Sequence, residues 1–442
     1  MGRHLAESSA EQALDTPASG PGRRQKVAGR GRSLRRRVML VVAIAGPGLI
    51  AANAGNDAGG IATYASAGSQ YRYDTLFVMV LITIGLVVVQ EMAARLGAIT
   101  GKGLASLIRE EFSIRMATLA LGALLVANVG IVVSEFAGIA AAFELFGVSR
   151  YISIPIAAVV SWVRVLFGSY RYAERVFLIL SLAFLVYPFT AGLAHPDWAA
   201  VGLHTVVPHL KTTKGFVLLV VALIGTTSSP YMQLYNASAV VDRGIGPAEY
   251  PIERIDTVSG AIFADLISWF IIVATAAAIG GSGVLASAKE AAIALRPVAG
   301  PGAEILFGLG LLGASALAGA VVPLSTSYAI AEAIGVERSV SRSFKQAPVF
   351  RGLFSAQVLI GAVIALVPVN LITLLIGTQV LQGVITPITL VYILILANRR
   401  SLLGEWANGP IFRAVATVAV TVVALMASIL VVLTVLSWFG VS

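Results

Sequence analysis

Apolar runs of seventeen or more residues recur along nearly all of this 442-residue chain, and that recurrence constrains its fold more than any other feature. Each run can cross ~30 Å of hydrocarbon as a helix that rises ~1.5 Å per residue. About eleven such spans can be read, at roughly 39–68, 75–97, 115–146, 152–168, 174–194, 216–241, 257–281, 303–334, 350–367, 371–397 and 411–440. Backbone polar groups in lipid must be satisfied within their own segment, so these spans are expected to be helical. The chain is only 12% charged, with a mean hydropathy of +0.88, whereas a soluble domain carries about a quarter charged residues. An all-α polytopic membrane protein is therefore expected, with one transporter-sized domain over residues 38–442. The absence of cysteine excludes disulfides, thiolate metal sites and a cysteine nucleophile.

Residues 1–37 carry nine Lys/Arg against three carboxylates, which accounts for +6 of the net +9. This stretch is rich in Gly, Ser, Ala and Arg and has no apolar period, so a disordered cytoplasmic tail is expected. Next to a hydrophobic span, such an arm sets topology and is drawn to anionic lipid; no nucleic-acid partner is expected. The apolar stretch that follows is too long, and too polar at its centre, for a cleaved signal peptide. With the N-terminus inside, 25 of the 31 Lys/Arg fall on the cytoplasmic side. The positive-inside rule then predicts a multi-pass cell-membrane protein with a cytoplasmic N-terminus and an extracellular C-terminus.

Two spans are interrupted where an unbroken helix would be most apolar. In the first, Gly46-Pro47-Gly48 is followed by Asn53-Ala54-Gly55-Asn56-Asp57-Ala58-Gly59-Gly60. In the sixth, Gly225-Thr226-Thr227-Ser228-Ser229-Pro230 brings a proline that removes a backbone donor and leaves earlier carbonyls without partners. Broken helices at equivalent places in two halves mark inverted-repeat transporters, whose substrate site lies between the breaks. The expected repeats are about 38–194 and about 216–397, with an extra helix at about 411–440. Asp57 anchors the site, because a carboxylate within the membrane is costly unless it meets a cation, a proton or a partner. It is also a good N-cap, and capping is compatible with ion coordination at a cavity. The Thr226 carbonyl and the Ser229 hydroxyl are expected opposite it, with Asn56 and Gly60 at its sides. Hard oxygen ligands of this kind suit Mg²⁺, Ca²⁺ or Mn²⁺.

These motifs resemble the natural resistance-associated macrophage protein (NRAMP) family of divalent-metal transporters, which implies a LeuT-like fold over most of residues 38–400. That family breaks its first helix at Asp-Pro-Gly-Asn and its sixth at Ala-x-x-Met-Pro-His; the stretches here read Asp57-Ala58-Gly59-Gly60 and Thr226-Thr227-Ser228-Ser229-Pro230-Tyr231. Ala93-Ala94-Arg95-Leu96-Gly97, Thr100-Gly101-Lys102, Ser325-Thr326 and Thr378-Gln379-Val380 add to the likeness, and the last implies a metal-facing Gln379. The departures are Gly60 for Asn, Ser229 for Met and Tyr231 for His. With Ser238-Ala239-Val240-Val241-Asp242-Arg243-Gly244, they are similar to the NRAMP-related magnesium transporter branch. The family's acidic pair in the third span is represented by Glu135 alone, since Gly138 stands at the second position.

The resemblance and the residues together imply Mg²⁺ uptake, with Mn²⁺ as a second substrate, no obligatory proton coupling and no cofactor. A monomer in the lipid bilayer is sufficient. All four histidines lie in the tail or between spans five and six, so no imidazole relay crosses the membrane. Glu135 either faces the cavity or makes a structural hydrogen bond. Tyr231 and Asp265 are candidates for the vestibule, and Asp265 could instead anchor the loop that holds Arg254. Glu91 and Arg95 have the spacing of a structural helical ion pair. Glu144 and Glu332 are expected to be solvated at span ends. Gln382 shares a helical face with Gln379 and would bind between helices. The segment Lys102–Phe112 is amphipathic and should lie along the interface. No phosphate-binding loop or Ser/His/Asp set is present, so an enzyme is not expected. The rival readings are a proton-coupled Mn²⁺/Fe²⁺ symporter, an amino-acid or organic-cation transporter on the same fold, and a metal-sensing receptor.

Overall fold

Proline, glycine and capping side chains divide the apolar chain into helices, as the computed structural model shows for residues 57–167, 180, 182–336 and 344–438. The tail 1–37, Asn56 and the first half of the first span lie outside the described residues. The helices, numbered here in chain order, are α1 (Ala58–Tyr71), α2 (Leu76–Thr100), α3 (Leu104–Glu111), α4 (Ile114–Glu144) and α5 (Arg150–Phe167). A 3-10 turn at Leu182–Val186 leads into α6 (Tyr187–Leu193), followed by α7 (Trp198–Val206), α8 (Lys214–Thr227), α9 (Pro230–Asp242) and α10 (Tyr250–Ile279). Then come α11 (Ala288–Ala292), α12 (Arg296–Ala299), α13 (Ala303–Ile334), α14 (Pro348–Ala365), α15 (Leu371–Asn398), α16 (Arg400–Leu403) and α17 (Pro410–Trp438). Among the described residues there is no strand, and eight segments are long and apolar enough to cross a membrane.

Spans two to four and six to eleven of the expected set map onto described helices with small shifts, and the first is described only from residue 57. The seventh starts at Tyr250, seven residues before its apolar run. Polar contacts extend it: Tyr250 donates to Glu91, and Glu253 pairs with Arg243 at 2.6 Å. The fifth is described only from residue 182 onward, apart from residue 180. Helix α3 lies within the amphipathic segment; it buries Leu104, Ala105, Leu107 and Ile108 and exposes Arg109 and Glu110. Helix α17 is peripheral, with only 17% of its most apolar window covered by protein.

Helix α4 lies at the centre, against α13, α14 and α15, while α1 and α2 pack along α10. Helices α8 and α15 meet backbone to backbone at Gly225 and Gly383. A side chain at Gly225 would run into the Gln379 carbonyl and the Gly383 amide, and one at Gly383 into the Val221 carbonyl. This crossing fixes Gln379 relative to the break between α8 and α9. At one end of the bundle, Arg95 gathers three segments. It donates to Glu91 at 3.1 Å, to the Trp406 carbonyl at 2.8 Å and to Asn408 Oδ1 at 2.5 Å. The expected helical pair is thus the centre of a larger buried network. Arg254 reaches the same Glu91, at 3.6 Å, and so is not held by Asp265.

Candidate functional site

The site begins at the first turn of α1. Asp57 has extended backbone angles (φ −71°, ψ 174°), which end the helix on its N-terminal side, and its Oδ1 accepts from the Gly60 amide at 2.6 Å. The half-buried carboxylate has a second oxygen, and among the described residues no cation pairs with it. Gly60 allows a close approach: a Cβ there would stand 2.7 Å from Thr226 Oγ1 and 3.1 Å from Asp57 Oδ1. The end of α8 therefore lies directly against the Asp57 turn.

The break between α8 and α9 follows from Pro230. Lacking an N–H, it cannot close on the Thr226 carbonyl one turn back, and α9 starts with Ser229 as its N-cap residue. The Ser229 side chain makes no capping bond, and the buried Thr226 hydroxyl has no partner. One residue on, Thr227 Oγ1 meets the Tyr64 hydroxyl at 3.0 Å and so clasps the break to α1.

Helices α4, α13 and α15 complete the enclosure. A Cβ at Gly59 would overlap the Gln379 amide nitrogen and come within 2.6 Å of Ser134 Oγ, so Gln379 rests on the bare backbone of the Asp57 turn. Gln379 Oε1 is buried without a hydrogen-bond partner, while its Nε2 lies 3.5 Å from Ser134 Oγ. Glu135 is fully buried; its carboxyl faces the Ala58 amide and the Ser315 hydroxyl without a well-formed hydrogen bond to either. Buried oxygens without partners are uncommon in folded proteins and mark places that receive water or an ion. Gly59→Ala is expected to displace Gln379, with a stability cost of about 1–3 kcal/mol and a loss of about tenfold or more in metal affinity. Thermal melting and calorimetric Mn²⁺ titration measure the two effects.

A cavity of about 810 Å³ opens beside this site. Tyr231, in the first turn of α9, lines it at one end, and Asp242, the last residue of α9, and Glu332, near the end of α13, line it at the other. At the opposite end of the bundle α1 is stitched to the segment after α10: Gly281 N–H donates to the Ser69 carbonyl at 2.7 Å, and Ser69 Oγ donates to the Gly283 carbonyl at 2.8 Å. The vestibule thus opens toward the end of the bundle that carries Lys102, Arg109 and Arg243.

Thr226 and Gln379 both border the turn that begins at Asp57, against Gly60 and Gly59 respectively, with Ser229 at the adjoining cap. Tyr231 lines the vestibule, whereas Glu135 and Asp265 do not line it. Asp265 is buried in α10 with Oδ2 unpartnered. Glu332 departs from its expected solvated role: it is half-buried, lines the vestibule and accepts from Ser106 on α3. Glu144 does sit at an exposed span end and pairs with Arg150 at 3.1 Å. Gln382 binds between helices, donating to the Ala127 carbonyl at 2.5 Å. Two contributors escaped the sequence reading. Gly59 could have been singled out by its place in a Gly-Gly pair beside the carboxylate; Ser134 carried no local signal. Among the described residues, no three His, Cys, Asp or Glu side chains are grouped to hold a metal ion.

The sequence profile of the natural resistance-associated macrophage protein-like family matches residues 48–433. The chain is 28% identical over 395 residues to the divalent metal cation transporter MntH of Aeromonas hydrophila, covering 86% of this chain and 92% of that one. It is likewise 28% identical over 433 residues to the protein of that name from Verminephrobacter eiseniae, covering 92% of each. Among solved structures, it is similar to the Eremococcus coleocola manganese transporter in complex with an aromatic bis-isothiourea compound. The TM-score is 0.72 at 17% identity, over 96% of this chain and 90% of that one. A more distant likeness is to Mhp1, a nucleobase-cation-symport-1 family transporter, with a TM-score of 0.53 at 16% identity over 89% and 92% of the two chains. These structural likenesses concern the fold, which is LeuT-like, with the sixth span broken between α8 and α9 among the described residues. The chain belongs to the natural resistance-associated macrophage protein-like family and is a multi-pass membrane transporter rather than an enzyme.

Proposed function

We propose that this chain carries hard divalent cations, Mg²⁺ and secondarily Mn²⁺, into the cytoplasm down their electrochemical gradient without obligatory proton coupling. One observation carries the reading: the turn that holds the half-buried Asp57 carboxylate is bordered by the unpartnered Thr226 hydroxyl at Gly60 and by the neutral Gln379 amide at Gly59, with serine rather than a thioether at position 229. Mg²⁺ dehydrates reluctantly and is usually held by one or two carboxylates while keeping several waters. The same departures support assignment to the magnesium transporter branch. The names of the relatives, divalent metal cation and manganese transporters, support the broader substrate class. The lysine and arginine distribution supports a cytoplasmic N-terminus and an extracellular C-terminus, so the vestibule opens to the cytoplasm. We take residues 38–194 and 216–397 as the two repeats. One chain carries every residue of the site, so a monomer suffices. A potential of 100 mV supplies about 2.3 kcal/mol per charge, or ~4.6 kcal/mol for a divalent ion, so no coupling ion is required.

Ser229→Met tests the hardness of the site. A soft thioether near Asp57 is expected to strengthen Cd²⁺ binding relative to Mg²⁺ by about tenfold, read by competition calorimetry. Wild-type protein that already binds Cd²⁺ far more tightly than Mg²⁺ would contradict the assignment.

Glu135 favours a second reading, a proton-coupled Mn²⁺ or Fe²⁺ symporter, because a buried carboxyl without a well-formed bond stands one helix from Asp57. The distinguishing experiment measures metal uptake into proteoliposomes that contain a pH-sensitive dye, with the potential clamped by K⁺ and valinomycin. Metal entry without matching acidification is expected. Acidification that rises with Mg²⁺ or Mn²⁺ and disappears in Asp57→Asn would establish the symporter instead.

A further inference from the structure

We propose that Asp265, near the middle of α10, is a resident proton site: a neutral carboxylic acid that donates to Thr83 of α2 and, while it stays neutral, holds α10 against α1 and α2. The inference goes beyond the carrier reading and does not depend on which ion is carried. Three observations carry it.

The first is place. Asp265 is 4% exposed, close to the midpoint of the 30-residue α10, and its Oδ2 has no hydrogen-bond partner. A carboxyl at that depth needs a cation, a proton or a donor. Among the described residues no Lys, Arg or His pairs with it. Helix α10 packs on α1, α2, α6 and the turn Ile293–Leu295. The turn has no titratable group, and α6 brings only the Tyr187 phenol. On α2 the charges are Glu91 and Arg95, ~12 and ~18 Å along the helix from Thr83. Asp57, the cap of α1, is ~10 Å along the helix from Tyr64, and Asp256 is ~14 Å back along α10.

The second is the direction of the hydrogen bonds beside it. The carboxyl faces Thr83, with Tyr64 of α1 and Ser268, one turn along α10, close by. Thr83 donates to the Met79 carbonyl at 2.8 Å and Ser268 to the Ala264 carbonyl at 3.1 Å, so both hydroxyl hydrogens are committed to their own helices. Ser268 then accepts from Tyr64, and Tyr64, 3.0 Å from Thr227 Oγ1, accepts from that hydroxyl. Helical amides are committed to carbonyls one turn back. The indole N–H of Trp269, also one turn from Asp265, has no partner and so does not serve it. The neighbouring hydroxyls thus offer lone pairs and no donor. An ionised carboxylate would meet Thr83 lone pair to lone pair, whereas a neutral acid donates to it.

The third is the connection to the cation site. Tyr64 reaches Thr227, the last residue of α8, and Thr226 beside it borders the Asp57 turn at Gly60. Thr83, Asp265, Ser268 and Tyr64 therefore link α2 through α10 and α1 to the break in the sixth span. Ionisation would bury a charge without a partner and break the bond to Thr83, so α10 would draw away from α2. Uptake should then slow as pH rises, although no proton crosses the membrane with the ion.

Infrared difference spectroscopy on the full-length protein in liposomes tests the proton site without reference to cargo. Near pH 7 the wild-type spectrum is expected to contain the carbonyl stretch of a neutral carboxylic acid that Asp265→Asn lacks. Thr83→Val, which keeps the acid but removes its acceptor, should move that band to higher frequency. Mg²⁺ uptake measured against pH reads the switch. The wild-type rate should fall by about tenfold per pH unit on its alkaline limb, the slope of one proton. Asp265→Asn, whose amide stands in for the neutral acid, should match wild type near pH 7 and lose that limb. Identical acid bands in wild type and Asp265→Asn would show an ionised Asp265 and overturn the proposal. An acid band that emerges only after Na⁺ and K⁺ are removed would make Asp265 a cation site and overturn it too. A folded Asp265→Asn that does not transport, or that keeps the alkaline limb, would overturn the switch. Wild-type protein that takes up no Mg²⁺ would overturn the carrier reading, and the infrared band would still decide the proton site.

Discussion

Asp57→Asn is expected to reduce divalent-cation uptake to the level of protein-free liposomes while the protein remains folded. The carboxylate has two separable roles. As an N-cap it accepts from the Gly60 amide, a bond that asparagine reproduces. As a charge it is not replaced by Thr226, Gln379 or Ser134, which are neutral, and the other carboxyl near this turn, Glu135, is fully buried and faces the Ala58 amide. Removing one partner from a desolvated charge pair costs about 3 kcal/mol or more, which exceeds a hundredfold in affinity. Asp57→Ala should show the same transport defect and lose about 1 kcal/mol more stability through the missing cap. Size-exclusion profiles and melting curves, read beside the uptake rates, separate the two roles. Substantial transport by Asp57→Asn would remove the charge from the mechanism.

Arg95→Ala is expected to be the most destabilising single change considered, at about 3–5 kcal/mol. Arg95 is 7% exposed, and its guanidinium holds Glu91, the Trp406 carbonyl and Asn408 together, with its charge over the Phe412 ring at 5.2 Å. Without it, Glu91 keeps the Tyr250 hydroxyl and the partly exposed Arg254, and the turn between α15 and α17 loses its tie to α2. Arg95→Lys preserves the charge but not the forked geometry that serves three acceptors, so an intermediate loss is expected. Melting in detergent micelles gives the ranking: wild type, then Arg95→Lys, then Arg95→Ala. Equal melting of all three would show that the network adds nothing to stability.

The parts of the fold legible in the sequence are those governed by local physics. Span lengths follow from the thickness of hydrocarbon, and the break after Thr227 follows from one missing amide hydrogen at Pro230. The Asp57 turn stood out because a charge at that depth needs a reason. Contacts between distant segments were not legible. Nothing local to Gly225 or Gly383 reveals that α8 and α15 touch backbone to backbone there, although that crossing sets the position of Gln379. Glu332 looked like a solvated span end because its sequence neighbours are ordinary; the fold of α3 across the vestibule, through Ser106, gives it a different setting. The start of α10 was read late for a related reason. Hydropathy registers where apolar residues begin, while Tyr250 and Glu253 extend the helix through polar contacts to Glu91 and Arg243.

Uptake of Mg²⁺ into proteoliposomes loaded with a Mg²⁺-sensitive dye, at a K⁺/valinomycin potential that is inside-negative, tests most directly the claim that Asp57 serves a hard divalent ion. Wild-type protein should accumulate Mg²⁺ against a concentration gradient, up to roughly two-thousandfold at 100 mV. The rate should collapse when the potential is removed, and Mn²⁺ should compete for entry. Asp57→Asn should not differ from empty liposomes. Entry of Mn²⁺ without any entry of Mg²⁺ under the same potential would contradict the account.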